Sequence, residues 1–454
     1  MTESPLQAAI AEHSWLHFTQ MQRLIERPPI VITRGEGSKV YDAEGREYID
    51  ALAGLFCVNA GYGRREIADA MHAQALKINY VSSFSYPNEP AVQVAARLAQ
   101  LAPVGAGDAR VFFVSGGSEA VESALKVAKQ YQRAMGYRGR YKTISRRLAY
   151  HGTTMGALSV TGLASVRAPF EPLVPGARHV PMPHHYRCAY CAHEAACNLS
   201  CVREIEELVE QEGAETIAAI ILEPVQNSGG CIVPPPDYYR RVRALCDRTG
   251  IVMIMDEVIC GFGRVGYWFG SEHWNVKPDI ITCAKGLTSA YAPLGAAIVR
   301  KEIADAFLGE EQKKFMHGIT FGGHPVSAAA ALANIAILER ESLPQRAQVS
   351  GEYLMGQLKE AFESRRIVGD VRGLGLFIGI ELVKDRETRE SLHGEAQMGW
   401  LSDQLLARGV ICRADDRLDP VIQLSPPLVI TKEEMDRVVA VLDEVIGELE
   451  KQVL

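Results

Sequence analysis

The chain has 454 residues, 47% hydrophobic and 23% charged, with a formal net charge of -7 at pH 7; it is longer than one ordinary domain of roughly 50–250 residues, so two or more packed lobes are expected. There is no low-complexity tract, no dense Lys/Arg run, no basic-then-apolar leader in "MTESPLQAAIAEHSWLHFTQ" and no apolar stretch near the roughly 20 residues that span a bilayer, which argues against disorder, nucleic-acid binding, secretion and membrane insertion. A cytoplasmic protein is expected, and in a reducing compartment its 10 cysteines read as buried thiols, metal ligands or reactive groups rather than as a disulfide framework.

In chain order, "VIT" (31–33) and "KVYDAEGREYID" (39–50) predict short strands around a Glu-Gly turn, a small sheet ahead of the main lobe. From residue 111 short apolar runs alternate with helical patterns. "VFFV" (111–114) leads into "EAVESALKVAKQYQRA", and "IAAIILE" (217–223) into "YYRRVRALCDRT"; "IVMIM" (251–255), "DIITCA" (279–284) and "LGAAIV" (294–299) follow. Such alternation predicts a mostly parallel sheet covered by helices. A long Ala-rich helix is expected from about residue 325, then strands in "LFIGIELV", "VIC" and "VIQL". The last helix opens on a capping box, Thr431 with Glu434, and carries one apolar stripe of Met435, Val438, Val439, Leu442, Val445, Ile446 and Leu449. That stripe reads as core.

In a parallel sheet, ligands bind beyond the carboxyl ends of the strands, so the polar residues that follow the apolar runs are the ones to inspect. After "VFFV" comes "SGGSEA", whose glycines allow close approach and whose helix offers unpaired N–H groups to an anion. Alone, that is ordinary strand-to-helix punctuation. Asp256 follows "IVMIM", where a lone aspartate could equally cap a helix. Lys285 follows "DIITCA"; between an apolar strand and a glycine it is a poor surface residue, and burial would favour the neutral, nucleophilic amine. Glu223 and Gln226, in "ILEPVQNSGG", occupy a fourth strand end. An anion cradle, a carboxylate and an amine are together the three groups that pyridoxal phosphate requires.

With these residues the chain resembles the class III aminotransferases, the group that includes the omega-transaminases. The likeness runs from "LAGLFCVNAGYGR" through "SGGSEA", "YHGTT", "LEPVQNSGG", "DEVICGFGR", "CAKGL" and "HGITFGGHP" to "LSPPLVIT". It implies an α/β fold of the type I pyridoxal phosphate class: a 1–65 segment contributing to the small domain, a large mostly parallel-sheet domain at 66–325, and a smaller α+β domain at 326–454. It implies that Lys285 bonds the cofactor aldehyde and that Asp256 pairs with the pyridinium nitrogen. Tyr150 would stack on one ring face with Val258 against the other. Gly117 and Ser118 would hold the phosphate, helped by Thr320 of a second subunit, so a homodimer or dimer of dimers is expected. Gln226 would lie near the ring hydroxyl and Glu223 near the pocket base. Arg413, in "GVICRADD", matches the arginine with which many omega-transaminases hold a keto-acid carboxylate, and Phe56 stands where many relatives carry Trp. The reaction implied is ping-pong transfer of an amino group from a primary amine or omega-amino acid to a keto acid such as pyruvate. The same apparatus also serves racemases, decarboxylases and aminomutases.

One feature lies outside that pattern. Between "TGLAS" (161–165) and a helix expected near Cys201 the chain lacks regular periodicity, and at about 181–202 it carries a cysteine-rich insert, "CAYCAHEAACNLSC". Cys188, Cys191, Cys197 and Cys201 are spaced C-x2-C-x5-C-x3-C, which suits four-thiolate ligation of a [4Fe-4S] cluster or of zinc, the compact wrap favouring the cluster. His184, His185 and His193 could enter a zinc site; four unligated thiols are the plain alternative. A metal-binding regulatory protein on an enzyme scaffold is the reading from another class.

Overall fold

The computed structural model of the chain describes residues 5–105, 107–194 and 196–454, the side chains of 395 and 396 excepted. Residues 1–4 of the expected N-terminal segment and residue 195 of the expected insert lie outside the described residues.

The first sheet forms as expected. Strands β1 (Ile32–Glu36), β2 (Lys39–Asp42) and β3 (Glu47–Asp50) pair antiparallel. The turn between β2 and β3 is closed by Asp42, whose Oδ1 accepts the backbone N–H of Glu44 at 3.1 Å and of Arg46 at 2.8 Å.

Seven strands make the central sheet: β4 (Arg110–Val114), β5 (Lys142–Arg146), β6 (Ala177–Val180), β7 (Ile217–Leu222), β8 (Val252–Asp256), β9 (Ile280–Cys283) and β10 (Gly295–Val299), in the order β4-β10-β9-β8-β7-β5-β6. The five from β5 to β9 run parallel to one another, while β10 is antiparallel to both neighbours. Every residue of β7, β8 and β9 is buried, as expected for central strands covered on both faces. β5 and β6, "KTISR" and "ARHV", have no apolar signature. Arg146 ends β5 fully buried because its Nη2 donates to the Glu223 carbonyl at 2.5 Å.

A further sheet follows the helices Pro325–Arg340 and Leu343–Ala361. It contains β11 (Val368–Leu374), β12 (Phe377–Asp385) and β13 (Glu390–Ser391). The short β14 (Val410–Ile411) instead joins the first sheet, parallel to β3. β15 (Arg413–Asp415) and β16 (Val421–Leu424) complete the order β11-β12-β16-β15. The final helix, Lys432–Val453, carries the reciprocal cap. Thr431 Oγ1 accepts from the Glu434 N–H at 3.2 Å, the Thr431 N–H donates back to Glu434 at 2.8 Å, and all seven residues of its stripe are buried. Among the described residues no helix is long and apolar enough to cross a membrane.

The expectation of an irregular excursion after residue 165 needs correction. A helical turn at Ala164–Arg167, the sheet-edge strand β6 and a turn at His185–Arg187 precede the helix Ser200–Glu212, so the irregular part begins after β6. Pairing of β6 with β5 supplies backbone partners that the polar sequence of this stretch does not advertise.

Candidate active site

β8 and β9 are adjacent, with Asp256 opposite Thr282, so the Asp256 strand end and the turn after β9 open into one crevice. Lys285 sits on that turn at φ +44°, and Phe56 faces it at φ +61°. Two non-glycine residues held in the left-handed region beside one cleft are a common mark of functional sites. The cleft is lined by Gly117, Ser118, Tyr150, Asp256, Val258 and Lys285, with His151 and Glu223 among its other walls.

Asp256 is buried and fully held. Its Oδ1 accepts from Thr282 Oγ1 at 2.9 Å and from the Val258 N–H at 3.2 Å, and His151 Nδ1 lies 2.7 Å from Oδ2, donating to it when protonated there. The Lys285 amine has its pKa lowered, burial outweighing the opposing charges of Cys57, Asp256 and Glu223. Glu223 Oε2 accepts from the Asn227 N–H at 3.0 Å and Oε1 from the Tyr150 N–H at 3.3 Å, so this carboxylate fixes the backbone that carries the Tyr150 ring. Burial raises its pKa. Gln226 is fully buried with its Nε2 on the carbonyls of Arg147 and Ser228, both at 3.1 Å, and does not line the cleft.

The helix Gly117–Ala134 points its N-terminus into the same cleft. Backbone approach there is close: a Cβ on Gly117 would lie 2.9 Å from Val258 Cγ1, and one on Gly152, at φ +118°, 2.3 Å from Ser118 Oγ. Free helix N–H groups, a buried carboxylate and a reactive amine converge on one space, a donor set that fits pyridoxal phosphate. Thr320 is exposed and is not brought to the cleft within one chain; its carbonyl accepts from Tyr80 Oη at 2.8 Å.

At the mouth, the Phe56 ring lies near both Lys285 and Arg413. Lys285 Nζ lies 5.6 Å and Arg413 Cζ 6.0 Å from its ring centroid. Arg413 is half-buried on β15. Its Nη2 approaches Asp415 Oδ2 at 3.3 Å. Arg417 also lines this mouth and grips the same carboxylate.

Sequence reasoning missed His151, Thr282 and Arg417. His151 adjoins Tyr150 in "YHG", but nothing local says that its ring reaches Asp256 across 105 positions. Thr282 is visible only as the one hydroxyl inside an apolar strand.

The cysteine segment folds back on itself. Cys191 Sγ and Cys197 Sγ are 3.7 Å apart, and His185 Nδ1 lies 3.5 Å from Cys191 Sγ; the ligand atoms of these three residues are all within 4.8 Å of one another. Cys188 and Cys201 are outside that trio. Cys201, in the first turn of Ser200–Glu212, is buried, and burial together with the neighbouring Cys197 and Cys188 pushes its thiol up to about 12.

Comparison with known proteins gives a consistent picture. The family model for aminotransferase class-III matches residues 21–446. A Mycobacterium tuberculosis protein described as a "probable aminotransferase" is 46% identical, covering 97% of this chain and 94% of its own. The putrescine–pyruvate aminotransferase of Pseudomonas aeruginosa is 35% identical, covering 95% and 94%. Among solved structures, an (S)-enantioselective omega-transaminase from Thermomicrobium roseum superposes with a TM-score of 0.92 at 41% identity, covering 98% of each chain.

Proposed function

We propose, for a chain that belongs to the class III aminotransferase family and is a pyridoxal-phosphate-dependent transaminase, that a primary amine or omega-amino acid donates the amino group and a keto acid such as pyruvate accepts it, the two substrates alternating in one site. The observation that carries this reading is the convergence of Lys285, Asp256 and the Gly117 helix N-terminus on a single cleft. When bound, the cofactor supplies an aldehyde for bonding to amines and a conjugated ring into which electrons can be drawn. Gly117 and Ser118 hold its phosphate at the helix N-terminus. Asp256, kept in place by Thr282 and His151, holds a proton on the pyridine nitrogen. Tyr150 and Val258 bracket the ring plane and orient it. Lys285 Nζ, at the head of the cleft, would remove the proton from the amine-bearing carbon of the substrate and later return one, and burial, by lowering its pKa, favours the neutral amine that the first task needs. Incubation with 1-phenylethylamine and pyruvate should yield alanine and the ketone; racemised donor without alanine overturns the reading.

Arg413 supports the keto-acid half. Its guanidinium is well suited to a carboxylate fork, so Arg413→Ala is expected to weaken pyruvate binding by about 1.5–3 kcal/mol, roughly ten- to hundredfold in apparent affinity. Binding of an uncharged amine should hardly change. Equal losses for both substrates would show that Arg413 supports structure instead.

The lobe of residues 66–325 is proposed to carry the cofactor in a cytoplasmic homodimer or dimer of dimers, with Thr320 serving the partner's phosphate site. Around Thr320 the surface is strongly apolar: Met316 is 81%, Phe84 68% and Phe321 58% exposed. So much exposed apolar area marks an interface. Sedimentation showing a lone monomer at micromolar concentration would remove this proposal.

Cys188, Cys191, Cys197 and Cys201 are proposed to hold a metal centre, a [4Fe-4S] cluster in preference to zinc. Support comes from their spacing and from the close approach of Cys191 to Cys197; a zinc centre would draw on His185 as well. The role is a structural staple, coupling metal binding to folding of the segment. Anaerobic purification should give about four irons and four sulfides per chain. One zinc supports the alternative, and neither metal refutes the centre. Cys197→Ala is expected to lower metal content, melting temperature and activity together.

A further inference from the structure

Asp415 ends β15 only 8% exposed, and its carboxylate serves two arginines unequally. Arg417 donates to Oδ1 from its backbone N–H at 3.1 Å and from Nε at 2.8 Å, and to Oδ2 from Nε at 3.1 Å and from Nη2. Arg413, two residues before Asp415 and so on the same face of the strand, reaches it through Nη2 at 3.3 Å. Although burial works to raise it, the hydrogen bonds from Arg417 hold the Asp415 carboxyl below the usual carboxylate range. Two cations therefore share one anion at the mouth of the cleft, leaving one positive charge in excess.

Consider what happens when Arg413 leaves to meet a substrate carboxylate. A buried carboxylate left without a partner is costly, because its charge then stays desolvated and unpaired. Here Asp415 is not left alone, because Arg417 still occupies both of its oxygens. Departure of Arg413 is therefore cheap. Were Arg417 absent, Asp415 would depend on Arg413 alone and would compete with the substrate for it.

We infer that Asp415 is the resting partner of Arg413 and that Arg417, by saturating Asp415, keeps Arg413 available to the acceptor carboxylate, so that these two positioning residues set the affinity for keto acids. The inference rests on the reading of Arg413 as the carboxylate-binding residue.

The test is a double-mutant cycle on the cofactor-loaded enzyme, following the pyruvate and the 1-phenylethylamine half-reactions separately. Arg417→Gln is expected to raise the apparent KM for pyruvate about tenfold relative to that for the amine, with kcat little changed, as for loss of one charge-assisted contact. Asp415→Asn should lower it. The decisive variant is Asp415→Asn/Arg417→Gln: with no buried carboxylate to compete, removal of Arg417 should have no effect, and the double variant should match Asp415→Asn. Simple loss of surface charge predicts additive changes that return the double variant to the wild-type value, and that outcome overturns the inference. So does an Arg417→Gln enzyme within twofold of wild type. Arg413→Ala distinguishes the two levels. If it leaves the pyruvate KM unaltered, the carboxylate role of Arg413 falls and the inference with it; if it raises KM while the cycle is additive, the inference alone falls. Melting temperatures establish that each variant is folded, and Arg417→Lys, which keeps charge without the fork, should fall between wild type and Arg417→Gln.

Discussion

Lys285→Ala is expected to reduce transamination by at least about 10⁴-fold, since one substitution removes the residue proposed as both nucleophile and general base. The protein should remain folded. Lys285 is an amine whose charged form is disfavoured by burial, so its removal relieves a desolvation cost, and the melting temperature of the apoprotein should stay level or rise. The residues proposed to hold the phosphate and the ring are unchanged, so the variant should still take up pyridoxal phosphate, without a covalent link. Borohydride treatment of the wild-type enzyme, followed by peptide mapping, should find the reduced cofactor on Lys285. Its recovery on another lysine would defeat the assignment, as would residual turnover within tenfold of wild type.

The second large effect belongs to Asp256→Asn. The side chains have the same shape, and the Thr282 hydroxyl can still donate to the amide oxygen, so the fold should tolerate the change. What disappears is the negative charge proposed to keep a proton on the ring nitrogen. Loss of one preorganised electrostatic partner in a water-poor site costs about 10²–10³-fold in rate, and kcat should fall by that much. Cofactor retention should fall less, because the phosphate end is proposed to be held independently by Gly117 and Ser118, which line the cleft at the helix N-terminus. A cofactor analogue with a permanent positive charge on the ring nitrogen should restore much of the lost rate, a rescue that purely structural damage would not permit. A kcat within threefold of wild type would show that Asp256 does not act on the ring.

Lys285 and Asp256 were readable in the sequence because each follows a continuous apolar run. A strand buried on both faces must be apolar along its whole length, and in a parallel sheet its carboxyl end faces the ligand crevice, so the first polar residue after it is marked. The final helix was readable for a similar reason, its cap and stripe being written within consecutive turns. β5 and β6 were not, because Arg146 is buried against the Glu223 carbonyl, a partner 77 positions away. Likewise "VIC" reads as a strand, yet nothing in those letters says that Val410–Ile411 would leave the sheet of its neighbours and pair with β3. In the site, Gln226 occupies a strand-end position like the others but spends its amide on Arg147 and Ser228.

The sequence by itself thus determined the class of fold, the strand ends and the residue types required by the cofactor. Tertiary structure decided the antiparallel direction of β10, the junction of His151 with Asp256, the closeness of Cys191, Cys197 and His185, and the unequal sharing of Asp415 between Arg413 and Arg417. The division has a physical cause. Periodicity and apolar runs report whether a side chain meets solvent, a property set by neighbours a few residues away. The partner of a buried polar group is chosen instead by whichever complementary atom the folded chain delivers within hydrogen-bond distance, and no local pattern of residues encodes that meeting.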